Sequence, residues 1–89
     1  MQARTLPIIN KLGLHARAAA QFVKVAGAFA SDVRVRRGDT EADGKSIMGV
    51  MMLAASRGTS IEVTTEGEDE IEALDAIARI VADRFGEEE

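Results

Sequence analysis

Apolar and polar positions change period several times along this chain, and each change marks the edge of an element. Residues 2–9 (QARTLPII) read as a strand in which Pro7 lacks an amide donor and so fits a sheet edge or a strand end. From Ala16 to about Ala28, Ala16, Ala19, Ala20, Val23 and Ala26 recur at spacings of three and four, which predicts an amphipathic helix whose small residues permit close approach. Val33 and Val35 then alternate with Arg34 and Arg36 in a half-buried strand, and RRGDTEADG carries the turn residues of a hairpin into a short strand near Thr40–Asp43.

Ser46 is an N-cap candidate for a short helix from Ile47 to about Ala54, closed by Arg57 and Gly58. Ile61 and Val63 alternate with Ser60, Glu62 and Thr64 in a fourth strand. Asp69 and Glu72 have the spacing of a capping box, and Ile71, Leu74, Ile77, Ala78, Val81 and Phe85 trace one apolar stripe behind them. The order is βαββαβα. Strands that alternate apolar with polar residues keep one face for solvent, so the three helices are expected to cover the other face of a four-stranded, mainly antiparallel sheet. The expected fold is α+β, an open-faced β-sandwich in one domain spanning residues 1–89.

Composition narrows the chemistry. The chain has no cysteine and a single histidine, which removes disulfides, thiolate metal sites and the usual zinc clusters; neither a metal nor another cofactor is expected. The longest apolar run, Ile47 to Ala55, is far below the roughly 20 residues that span a bilayer, so no membrane insertion is expected and the cytoplasm is the expected compartment. Residues 1–65 carry nine Lys or Arg against five acids, whereas residues 66–89 carry two against ten. A basic front half can dock on an acidic protein surface. Overall acidity and only three phenylalanines argue against nucleic acid, which asks for basic tracks and stacking rings.

The single histidine falls where a loop becomes a helix, in Gly13-Leu14-His15-Ala16-Arg17. The first amides of a helix have no intrahelical acceptor, so Ala16 and Arg17 can present backbone donors to an anion beside His15. Neutral imidazole has a free lone pair for attack on phosphorus, and the Arg17 guanidinium offers a planar fork of donors to phosphoryl oxygens. An ordinary capping histidine beside a solvated arginine satisfies the same spacing, and the local residues leave both readings open.

GLHARAAAQFV together with GKSIMGVMMLAASRG resembles the HPr family, the histidine-containing phosphocarriers of the phosphoenolpyruvate-dependent sugar phosphotransferase system, over nearly the whole chain. The resemblance implies a carrier phosphorylated on His15 through Nδ1, with Arg17 as site partner, charged by Enzyme I and discharged to histidines of sugar-specific IIA-type acceptor domains. Such a carrier is a stoichiometric intermediate restored in each cycle and not a free-standing enzyme, and it is expected to act as a monomer. Ser46 has an ordinary explanation as a cap; the resemblance implies that a serine there can be a regulatory site for a dedicated kinase and phosphorylase. It also implies a partner surface made by Ile47, Met48 and Met51 with Arg17, Lys24 and Lys45 as its charged rim, while core packing remains the competing reading of the methionines. One departure is Ala18, which stands where the family usually has proline; alanine keeps the helix but gives a looser first turn and one more amide donor. Two other functions stay open: a regulatory carrier of the nitrogen-linked branch, and a non-catalytic protein-binding module in which His15 is structural.

Overall fold

A computed structural model describes residues 1–89. Its elements are β1 (Gln2–Pro7), α1 (Ala16–Gly27), β2 (Asp32–Arg37), β3 (Thr40–Asp43), α2 (Ile47–Met52), β4 (Ser60–Glu66) and α3 (Glu70–Ala82), in the expected βαββαβα order. The strands form one four-stranded sheet in the order β1-β4-β2-β3, and every pairing is antiparallel. Pro7 closes β1, an edge strand, where its missing amide costs no central ladder bond. The hairpin between β2 and β3 turns through Gly38 and Asp39, with Gly38 at φ 59°.

Alternation sorts the two sheet faces. Leu6, Val33, Val35, Ile61 and Val63 point into the core, and Arg34 and Arg36 point to solvent, paired with Glu41 and Glu62. The helices cover the inner face, α1 packing between α2 and α3.

Several details differ from the sequence reading; β1 ends at Pro7 and α2 at Met52, each two residues earlier than expected. On α1 the buried face is Ala18, Ala19, Phe22 and Ala26; Ala16 and Ala20 are exposed and Val23 half-buried. Alanines nearly all around this helix blur its apolar face, and the bulk of Phe22 decides which side turns inward. On α3, Leu74, Ile77 and Val81 are buried with Ala73, but Ile71, on the flank of that arc, is 56% exposed. The capping box does not form: the Asp69 side chain makes no cap bond and instead accepts hydrogen bonds from the Ala30 and Ser31 amides, each at 2.9 Å, and from the Ser31 hydroxyl. It thereby fastens the start of α3 to the loop entering β2.

α3 ends at Ala82, short of Phe85. Arg84, Phe85 and Gly86 follow with φ of 55°, 56° and 80°, a left-handed reversal that turns the chain back on itself. Such φ values cost non-glycine residues about 1–3 kcal/mol each. Insertion of the Phe85 ring into the core, where it is only 3% exposed, offsets that cost.

Candidate functional site

The site begins in the loop between β1 and α1. Asn10 is fully buried, and its amide donates to the Gly13 carbonyl at 2.8 Å. Gly13 takes φ 68° and passes so close to the segment after α2 that a Cβ there would lie 2.5 Å from the Ala55 carbonyl oxygen. The next amide, Leu14, donates to that same oxygen at 2.9 Å. The exit of α2 is thus tied to the residue before the histidine.

His15 is the N-cap of α1, with extended backbone, and its carbonyl accepts the first helical bond from the Ala19 amide at 2.8 Å. Its Nδ1 accepts from the Arg17 amide at 3.3 Å, and its Nε2 meets the Glu87 carboxylate at 2.5 Å. An N–H donates to Nδ1 and a carboxylate faces Nε2, so the neutral ring that satisfies both contacts carries its proton on Nε2 and its lone pair on Nδ1. That lone pair lies at the amino end of α1, beside the amides of Ala16, Arg17 and Ala18, which have no acceptor within the helix. The histidine side chain is 28% exposed, enough to be reached from solvent.

Glu87 arrives through the left-handed reversal after α3. Asn10 donates to one of its oxygens at 2.9 Å and His15 holds the other. Burial raises the Glu87 carboxyl, but the hydrogen bonds from Asn10 and His15 and the electrostatic pull of the His15 ring and the Arg17 guanidinium outweigh it and hold the group below the usual carboxylate range. Arg17 is exposed and lines one shallow cavity with Lys11, Leu12 and Glu87.

His15, Ala16 and Arg17 therefore come together, and Ala18 behind them is fully buried in an unbroken helix. The other candidates lie on neighbouring surfaces. Ser46 caps α2, its hydroxyl accepting from the Gly49 amide at 3.1 Å. Lys24 is exposed in the last turn of α1, whereas the Lys45 ammonium donates to the Phe29 carbonyl at 2.8 Å. On α2 only Val50 is buried; Ile47, Met48 and Met51 are 44%, 70% and 37% exposed, so the methionines are not core residues. Asn10, Leu12 and Glu87 escaped the sequence reading. The Asn10 bond to Gly13 is the only one of their contacts with a local signal; the link to Glu87 spans 77 residues. No cluster of His, Cys, Asp and Glu is disposed to hold a metal ion, and no helix is long and apolar enough to cross a membrane.

The family model described as the PTS HPr component phosphorylation site matches residues 2–83. The phosphocarrier protein HPr of Cupriavidus necator is 53% identical over 89 residues, and that of Pseudomonas aeruginosa 57% identical over 90, each alignment covering the whole of both chains. Among solved structures, HPr-C-His from Thermoanaerobacter tengcongensis superposes with a TM-score of 0.95 at 43% identity over the full length of both chains. An HPr dimer from the same organism reaches 0.78 at 42% identity, covering 98% of this chain and 100% of that one.

Proposed function

Because the chain belongs to the HPr family of phosphotransferase-system phosphocarriers, we propose that it accepts a phosphoryl group from phospho-Enzyme I on Nδ1 of His15 and passes it to histidines of sugar-specific IIA-type acceptor domains. The observation that carries this reading is the placement of Nδ1: it holds the lone pair, faces the Arg17 amide and stands at the open end of α1. As the Nδ1–P bond forms, the bond from phosphorus to the donor's nitrogen breaks and its electron pair returns to that nitrogen. The Arg17 amide is then free to turn from Nδ1 to a phosphoryl oxygen, with the Ala16 amide and the Arg17 guanidinium as further donors. The carrier supplies positioning and charge stabilisation, the usual means of phosphoryl transfer. Ala18, in place of a proline, adds one more amide to the same end.

Docking falls to the exposed face of α2, with Ile47, Met48 and Met51 as adaptable apolar contacts and Arg17, Lys24 and Lys45 as the charged rim. Changing Met48 to Asp is expected to raise KM for Enzyme I while leaving the far-UV spectrum and melting unchanged; loss of the fold would remove Met48 from the docking surface. Ser46 is the regulatory position, open to a dedicated kinase and phosphorylase. A phosphate there is compatible with the start of α2 and repels an acidic partner approaching the His15 side. The protein works as a cytoplasmic monomer, without a cofactor and with no nucleic-acid partner.

Transfer from the phosphorylated chain to isolated acceptor domains tests the reading. Discharge to a sugar-specific domain is the expected result. Discharge only to acceptors of the nitrogen-linked branch would assign the chain there, and full biological activity of a His15→Ala protein would make it a binding module.

A further inference from the structure

We propose that α2 carries a reversible oxidation switch: Met48, Met51 and Met52 are modification sites for hydroperoxides, and their conversion to sulfoxides weakens docking on Enzyme I without disturbing the fold. The proposal rests on the exposed face of α2 being the docking surface.

Three of the chain's four methionines fall on this one six-residue helix. Their spacings of three and four place them on one side of it, away from Val50, the helix's buried residue. Met48 and Met52 are 70% and 73% exposed and Met51 37%, so an oxidant meets all three without any opening of the fold. What fastens α2 is elsewhere: the Val50 and Leu53 side chains in the core, the Ser46 cap, and the Arg37 guanidinium, which donates to the Leu53 carbonyl at 3.2 Å. The chain has no Cys, Trp or Tyr, which leaves the thioethers as its most readily oxidised groups.

With hydrogen peroxide, a sulfur lone pair forms an S–O bond while the O–O bond breaks, and the hydroxide that leaves takes the proton from the new S–OH group. The products are sulfoxide and water; sulfur loses two electrons and the peroxide gains them. Methionine sulfoxide reductases, one for each sulfoxide epimer, reverse the step: two thiols become a disulfide, the oxygen leaves as water and the thioether returns.

Oxidation turns a flexible apolar side chain into a polar, chiral one. In the free carrier the S–O dipole stays in water, so stability is little changed. Against a partner it must give up that water without a matched donor, and docking weakens. His15 and Arg17 stand on α1 and keep their chemistry, so the switch acts on KM and not on kcat.

The test treats the folded protein with hydrogen peroxide, removes the peroxide with catalase, and follows charging by phosphoenolpyruvate and Enzyme I. Peptide mass spectra are expected to place one oxygen on each of Met48, Met51 and Met52. KM for Enzyme I is expected to rise about tenfold, with kcat and the melting midpoint unchanged, and to return after incubation with both sulfoxide reductases and dithiothreitol. A Met48→Leu/Met51→Leu/Met52→Leu protein is compared with itself: peroxide is expected to leave its KM where it was, although the exposed Met1 is still oxidised. Resistance of the three sulfurs under conditions that oxidise Met1, unfolding of the oxidised protein, or an unchanged KM would each overturn the proposal. Should the triple variant fail to fold, the reductases decide: a KM that stays high once the spectra show every sulfoxide reduced overturns it, and a KM that returns supports it. Met48→Asp separates the two readings. If it raises KM and oxidation does not, the switch falls and the docking surface stands; if neither raises KM, the docking reading falls as well.

Discussion

Substitution of Gly13 by Ala tests how the histidine is held. Gly13 has φ 68°, and an added Cβ would meet the Ala55 carbonyl oxygen at 2.5 Å and the Ser56 Cα at 2.9 Å, both backbone atoms with little room to retreat. A left-handed alanine costs roughly 1–2 kcal/mol, and relief of overpacking about 1–3 kcal/mol. The same retreat stretches the bond from the Leu14 amide to Ala55, worth about 0.5–1.5 kcal/mol. These contributions overlap, because moving apart to relieve the clash is what lengthens the bond, so a net loss of about 3 kcal/mol is expected. For a domain of this size, that lowers the melting midpoint by about 12–24 °C. Far-UV circular dichroism is the assay of choice, since the chain has neither Trp nor Tyr for fluorescence. Gly38→Ala is the control: its φ is 59° but nothing lies within 4 Å of its added Cβ, so it bears only the conformational cost. A Gly13→Ala protein no less stable than Gly38→Ala would refute the close approach between the His15 loop and the segment after α2.

Ser46 offers a separation of stability from docking. Ser46→Ala loses the bond to the Gly49 amide and is expected to be about 1 kcal/mol less stable, with near-normal charging. Ser46→Asp keeps a cap oxygen and the wild-type melting temperature but is expected to charge slowly at low salt and recover as salt screens the repulsion; charging at the wild-type rate under low salt would sink the docking mechanism. Asp69 governs part of the acid response. The Ser31 hydroxyl first, then the Ala30 and Ser31 amides, hold its carboxyl below the usual range against a smaller opposing effect of burial. The unfolded chain therefore binds more protons in that interval, so this stability is fully present above the ordinary carboxylate range, near pH 4, and is lost as pH falls through the lower folded value. Melting of wild type and Asp69→Asn between about pH 2 and 5 should show a steeper acid limb for wild type; equal slopes would contradict the clamp.

The sheet and the start of the functional helix were legible because their signals are local. Val33, Val35, Ile61 and Val63 alternate with polar residues, and a glycine before His15 marks where loop becomes helix. What stayed hidden depends on distant partners. The spacing from Asp69 to Glu72 speaks for a capping box, yet donors at Ala30 and Ser31 claim the Asp69 carboxylate from 39 and 38 residues away. Ile71 and Phe85 both extend the apolar stripe of α3, but one faces solvent and the other enters the core only after the helix has ended. Within that reversal Gly86 alone has a residue type that favours positive φ, so nothing local to Arg84 or Phe85 announces that Glu87 returns to His15.

Mass spectrometry of the intact protein after incubation with phosphoenolpyruvate and a trace of Enzyme I tests the central claim most directly, with His15→Ala as control. One added phosphoryl group, labile in acid and absent from His15→Ala, is the predicted result. No added mass, under conditions in which the same Enzyme I charges an established carrier, would contradict it.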